Sequence, residues 1–132
     1  MADTLQFDLV TPERKLASVP ATEVQIPGTE GDMTVMAGHM PLVTSLRPGI
    51  LRVVGPTGHL NFAVTGGFAE TAGPSLSVLA EYAIPVEDTT KTIFDELVAE
   101  AESLAEVALP EDRAAADKKV NDMIALRAAA GH

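Results

Sequence analysis

The chain has 132 residues, a formal net charge of −10 and no cysteine. Its charge makes phosphate backbones and anionic lipid surfaces poor partners, and the missing thiols remove disulfides, thiolate chemistry and Cys-ligated metals. No apolar run reaches the roughly 18 residues a membrane-spanning helix needs, and the start, Met1-Ala2-Asp3-Thr4-Leu5-Gln6-Phe7-Asp8, lacks the basic and apolar stretches of a signal peptide.

The composition divides the chain in two. Residues 1–86 hold nine of the ten glycines and eight of the nine prolines, whereas residues 87–132 hold one of each together with eleven alanines. Such a shift marks a change of secondary-structure class, and the division falls near Pro85-Val86-Glu87-Asp88. The net charge is −4 before it and −6 after it, so the shorter part is the more acidic.

In the first part, Leu5, Phe7 and Leu9 alternate with Gln6 and Asp8 until Thr11-Pro12-Glu13-Arg14 supplies a turn. Glu23 to Ile26 alternates again and stops at Pro27-Gly28. Short runs follow at Met33–Met36, Leu42-Val43, Ile50–Val54, Leu60–Thr65, Phe68 and Leu76–Leu79, separated by Gly/Pro breaks. This pattern predicts eight to ten strands spaced as in a sandwich or barrel, with no helix longer than one turn.

In the second part, Ile93, Leu97, Ala101, Leu104 and Ala108 recur at steps of three or four and predict one helix face. Asp88 or Thr89 is the expected cap, with Glu87, Asp88, Asp95 and Glu96 suited to the positive end of the helix dipole. Pro110 interrupts, and Ala116, Val120, Met123, Ile124 and Arg127 form a second, narrower stripe ended by Gly131. Two helices joined through Ala108-Leu109-Pro110 make an antiparallel hairpin. Too short to be stable alone, it is expected to dock on the sandwich, on a partner, or on each in turn.

Chemistry-bearing patterns are scarce. His39, His59 and His132 form no metal-ligand spacing, and no serine sits in a nucleophile elbow. Gly28-Thr29-Glu30-Gly31-Asp32 is glycine-rich but carries two acids and no lysine, which is wrong for a phosphate cradle and short of oxygens for Ca²⁺. It reads as an exposed acidic turn. The acids of the helices read as a solvated face. The residues alone therefore indicate an interaction protein, with no catalytic, cofactor or metal site.

Four segments, in order, resemble the epsilon-subunit family of rotary (F-type) ATP synthases. They are Phe7-Asp8-Leu9-Val10-Thr11-Pro12-Glu13-Arg14; Ile26-Pro27-Gly28-Thr29-Glu30-Gly31-Asp32 with Ala37-Gly38-His39-Met40-Pro41-Leu42-Val43-Thr44; Leu46-Arg47-Pro48-Gly49; and Gly66-Gly67-Phe68-Ala69-Glu70 before Val78-Leu79-Ala80. The likeness runs over residues 5–84, and the hairpin agrees in position and length. It implies a ten-stranded β-sandwich over residues 1–86 followed by a two-helix hairpin over 87–132. It also implies a non-catalytic rotor subunit at the foot of the central stalk, coupling proton flow through the membrane ring of c subunits to ATP synthesis. The implied location is peripheral, on the cytoplasmic face of the energy-coupling membrane.

By the same resemblance, Glu30, Gly31 and Asp32 face the rotor ring, and His39, Met40 and Pro41 face the gamma subunit. An extended hairpin would reach the alpha and beta subunits and regulate ATP hydrolysis. Some members bind ATP through an Ile/Leu-Asp-x-x-Arg-Ala motif at the start of the first helix. Here Thr90 stands for the acid, Ile93 for the arginine and Phe94 for the alanine. Loss of the guanidinium removes a bidentate phosphate clamp, so weak or no specific ATP binding is expected. Pairing with acidic stator surfaces would fall to only Lys118, Lys119 and Arg127, after Arg113 at the start of the second helix, which counts against an extended inhibitory state. A second function remains open, a small sandwich that senses a ligand or nucleotide and carries a helical regulatory arm.

Overall fold

The computed structural model describes residues 4–132, so the first three residues of the segment tested for a signal peptide lie outside it. Ten strands come first: β1 (Leu5–Val10), β2 (Lys15–Ala21), β3 (Glu23–Gly28), β4 (Gly31–Met36), β5 (Leu42–Leu46), β6 (Gly49–Gly55), β7 (Gly58–Val64), β8 (Gly67–Ala72), β9 (Ser75–Ala80) and β10 (Ala83–Pro85). Helices α1 (Lys91–Glu106) and α2 (Arg113–Ala129) follow, each preceded by a short 3₁₀ turn.

The strands form one continuous ladder in the order β10-β7-β6-β3-β5-β8-β9-β1-β2, with β4 on the other edge of β3. Every pair is antiparallel except β1 with β9. The ladder folds into a sandwich at β3, which pairs with β6 through Glu23–Gln25 and with β5 only at Gly28. Side chains from both layers meet in one core, Phe7, Leu9, Val24, Ile26, Leu51, Val53, Leu76 and Val78 among them. Alternation along each strand is what sends these residues inward.

Two strands escape a reading by alternation, and both are edges of the ladder. Lys15-Leu16-Ala17-Ser18-Val19-Pro20-Ala21 mixes small residues with a proline, which an edge strand tolerates because one row of its backbone groups goes unpaired. Ala83-Ile84-Pro85 is only three residues long. At Gly67 the chains come closest: φ is +136°, and a Cβ there would sit 2.1 Å from the Leu79 carbonyl oxygen. Only glycine fits this crossing of β8 and β9.

The hairpin lies on the outer face of β6, β7 and β10. Ile50, Ala63 and Ile84 are direct cross-strand neighbours and form a row across those three strands. Phe94, Val98, Ala101, Met123 and Leu126 pack on this row. The small side chain of Ala63 at its centre lets the helices approach the sheet closely.

The helix start and face differ from those predicted. Thr90, not Asp88 or Thr89, caps α1, its hydroxyl oxygen accepting the Ile93 N–H at 3.3 Å. Glu87 and Asp88 lie in the preceding 3₁₀ turn, Val86–Asp88, and no acid occupies the first turn of α1. Thr89 is used otherwise: its hydroxyl donates to the Val86 carbonyl at 2.6 Å and accepts from His132 Nε2 at 3.1 Å. The buried stripe of α1 is Phe94, Val98, Ala101 and Ala105, rotated by about one residue from the expected one. Ile93 and Leu97 flank it, Leu104 is exposed, and Ala108 lies past the helix end. Both stripes are apolar, and the one carrying the aromatic ring wins the interior because Phe94 removes the most area from water.

In α2, Met123 and Leu126 are the buried residues, Val120 packs beside them, and Ile124 is exposed. Gly131 ends the helix as expected. With φ at +92° it donates to Ala128, while His132 N–H donates to Arg127, the paired bonds of a Schellman cap.

Asp95 joins the two helices. It accepts from Lys91 at 2.7 Å within α1 and from Arg127 of α2 at 2.8 Å. These bonds, Lys91 first, hold its carboxyl below the ordinary value, although partial desolvation opposes them.

Two predictions follow from this packing. Phe94→Ala should destabilise the protein by about 3–5 kcal/mol in urea unfolding, whereas Leu104→Ala should stay within about 0.5 kcal/mol; the expected face of α1 would require the reverse. A carboxyl lowered by folding adds stability above its unfolded pKa and loses it as pH falls through its folded value. The Asp95 clasp should therefore loosen only in acid. Lys91→Ala should raise the Asp95 midpoint in an NMR titration, and Arg127→Ala should raise it less.

Candidate functional site: an acidic turn and an uncovered apolar face

The turn between β3 and β4 is a two-residue loop, Thr29-Glu30, closed by the facing pair Gly28 and Gly31. Gly31 has φ +137°, and a Cβ on Gly28 would lie 2.7 Å from the Gly31 carbonyl oxygen, so glycine on both sides lets the loop be this tight. Glu30 points into solvent and has no ion pair among the described residues. Asp32, equally exposed, is held by Arg47 Nη2 at 2.6 Å.

The neighbouring link between β5 and β6 braces this turn. Thr29 N–H donates to the Ser45 carbonyl at 3.0 Å, and the Thr29 and Ser45 hydroxyls lie 3.0 Å apart. Arg47 N–H donates to the Pro27 carbonyl at 2.9 Å, and Arg47 Nη1 to the Gly28 carbonyl at 2.7 Å.

His39 lies beyond the other end of β4, in the loop that leads to β5. Its backbone N–H donates to Met36 at 3.1 Å, and its Nδ1–H donates to the Met40 carbonyl at 2.8 Å. The same carbonyl accepts from the Thr71 hydroxyl at 2.8 Å. The imidazole thus holds its own loop, in which Met40 is 78% exposed. Pro41 is also exposed. The structure does not bring Glu30–Asp32 and His39–Pro41 together: the first lie at the start of β4 and the second beyond its end, along a strand about 17 Å long.

A feature beside the His39 loop was not singled out in the sequence. On the outer face of β5, β8 and β9, Val43, Phe68 and Leu79 are 63%, 58% and 56% exposed. Phe68 and Leu79 are directly paired, and Val43 is diagonal to Phe68 across β5 and β8. Met40, also exposed, lies at the end of this face, its carbonyl held by Thr71 of β8. The hairpin covers the opposite layer, so these residues face outward. The available signal was that Val43, Phe68 and Leu79 fall on the same parity as polar Ser45, Glu70 and Ser77 in those strands.

The positions matched to the nucleotide motif serve the fold. Thr90 caps α1, Ile93 is half-buried, and Phe94 is fully enclosed with its ring 5.7 Å from that of His132. A cleft of about 240 Å³ between the sandwich and α2 is lined by Arg47 and Arg52, but also by Asp32 and Asp122. Two carboxylates facing two guanidiniums do not form an anion site. Among the described residues, no three His, Asp or Glu side chains assemble as a metal site.

Residues 4–86 match the family model of the ATP synthase delta/epsilon chain β-sandwich domain. The chain is 64% identical to the ATP synthase epsilon chain of Cereibacter sphaeroides (strain ATCC 17025 / ATH 2.4.3) over the whole of both chains. It is 47% identical to that of Paracoccus denitrificans (strain Pd 1222), covering 96% of this chain and 90% of the other. Its fold matches a chain of the Euglena gracilis mitochondrial ATP synthase, solved by cryo-EM as OSCP/F1/c-ring, with a TM-score of 0.73 at 25% identity over 96% of this chain and 81% of that one. A chain of the Tetrahymena thermophila central stalk/c-ring assembly shares the fold, with a TM-score of 0.68 at 14% identity over 97% and 96%. With its strands matched by the family model and its full length matched by close relatives, this chain belongs to the ATP synthase epsilon-chain family.

Proposed function

We propose that this non-catalytic subunit of ATP synthase stands at the foot of the central stalk, its strand domain (1–86) bridging the gamma subunit and the c-subunit ring while 87–132 forms a mobile arm. The turn Glu30-Gly31-Asp32 meets the ring. The loop His39-Met40-Pro41, with Val43, Phe68 and Leu79, meets gamma. The observation that carries this reading is the uncovered apolar face beside the His39 loop, since exposed patches of this kind mark protein contacts. A torque-bearing contact also gains from a turn already braced before binding, because less ordering is lost when it docks. No helix among the described residues is long and apolar enough to cross a membrane, and the reading makes the chain peripheral, on the cytoplasmic face.

Co-purification of the tagged chain from membranes tests the two contacts separately. Phe68→Asp should cut recovery of gamma by about tenfold or more, because a carboxylate would be buried in an apolar contact. Glu30→Lys should weaken retention of the ring and spare gamma. Unchanged gamma recovery with Phe68→Asp would remove the apolar face from that interface. The nucleotide-sensing alternative has its own measurement: calorimetry with Mg-ATP should show no tight stoichiometric binding, and micromolar binding would favour the sensor.

A further inference from the structure

Resting on the reading of the β3–β4 turn as the ring-facing one, we propose that Arg47 is its positioning residue and that Glu30 alone is its contact charge. Two acids on one turn suggest a paired contact, but the geometry separates their roles. Asp32 is already committed, with Arg47 Nη2 2.6 Å from its Oδ1. The guanidinium spans the hairpin, with Nη1 donating to the Gly28 carbonyl of β3 and Nη2 to the Asp32 carboxylate of β4. The backbone N–H of the same residue holds the Pro27 carbonyl. One residue therefore grips the turn at three points, on both of its strands.

The environment favours this grip. Arg47 is only 28% exposed at its side chain, whereas Asp32 is 76% exposed. An isolated exposed pair contributes little. Here the guanidinium is shielded and also satisfies a carbonyl that faces it, and its fork geometry holds two acceptors at once. A lysine in its place would offer one point charge and could not span both.

The electrostatic result is a turn whose Asp32 is paired with Arg47 and whose Glu30 has no ion pair among the described residues. Glu30 sits at the loop's second position, followed by Gly31, so its carboxylate leads the turn. Asp32 acts through Arg47 to keep Glu30 in place. A contact built this way recognises a basic or amide-bearing loop through one carboxylate held in a fixed direction.

The test uses the full chain and the solubilised rotor. In amide exchange of the full chain alone, Arg47→Ala should speed exchange at Thr29, whose N–H is held by the Ser45 carbonyl, and at Gly31, which closes the turn with Gly28, by about tenfold. Arg47→Lys should restore little of that protection, and Glu30→Gln should leave it unchanged. In retention on the gamma–ring complex, Glu30→Gln should reduce both binding and its salt dependence. Asp32→Asn and Arg47→Ala should each reduce binding, and their double variant should be no worse than either single one, as for residues acting as one unit. Unchanged exchange in Arg47→Ala would overturn the bracket whatever the ring does. Faster exchange, combined with unaltered ring retention in Glu30→Gln and Arg47→Ala, would overturn the ring assignment beneath the proposal. Strictly additive losses for Asp32→Asn and Arg47→Ala would give Asp32 a contact of its own and overturn the division of roles.

Discussion

Strand β3 is hydrogen-bonded along both edges, and one of those edges changes partner from β6 to β5 within its six residues. The rest of the domain follows from that exchange. It turns a single ladder into two layers and encloses the aliphatic core. It also brings the end of β5 against the end of β3, where Thr29, Ser45 and Arg47 meet. The corner leaves no spare room: a Cβ on Gly49 would lie 2.5 Å from the Pro27 side chain. A turn carried on such a corner cannot swing as a flexible loop would, because its backbone groups are already paired with a neighbouring strand.

The same corner gives the two layers different outer faces. On one, Ile50, Ala63 and Ile84 form a narrow apolar row and the hairpin lies on it. On the other, Val43, Phe68 and Leu79 have no helix over them. Among the described residues, the core between the layers contains sixteen buried residues, while the cluster beneath the hairpin contains six. Apolar area dominates both attachments, so lifting the arm disrupts far less than opening the sandwich. The hairpin is thus attached through the smaller of the two apolar clusters, and local opening costs least where the fewest apolar contacts are lost.

How legible this was in the sequence depended on how local the signal was. Strands bounded by Gly and Pro could be read directly, and so could the glycine that ends α2. The edge strands β2 and β10 could not, since an edge needs neither clean alternation nor freedom from proline. The face of α1 was ambiguous for a different reason. Ile93-Leu97-Leu104 and Phe94-Val98-Ala105 are both apolar at helical spacing, and only the docking row on the sheet decides between them. The acidic turn was visible, but not the division between Glu30 and Asp32, because Arg47 lies fifteen residues from Asp32 and reaches it only through the β3–β5 pairing. Similarly, the apolar outer face stays hidden until pairing shows Phe68 beside Leu79.

Charge on the arm gives the last step. All five of its bases are committed: Lys91 and Arg127 to Asp95, Arg113 to Asp117, Lys118 to Asp122 and Lys119 to Glu81. Four of those bridges stay inside the hairpin, and among the described residues only Lys119–Glu81 ties it to the sandwich by an ion pair. At 3.5 Å between exposed side chains, that bridge contributes little. The hairpin's ion pairs are therefore mostly its own, and its attachment is set by the apolar row. Because its remaining acids have no partners on the arm, the solvent side of the hairpin is strongly negative. Such a surface resists collapse onto other acidic surfaces. What holds the hairpin on the sandwich is then chiefly the packing of Phe94, Val98, Met123 and Leu126 on the row around Ala63, a contact that ionic strength would hardly alter.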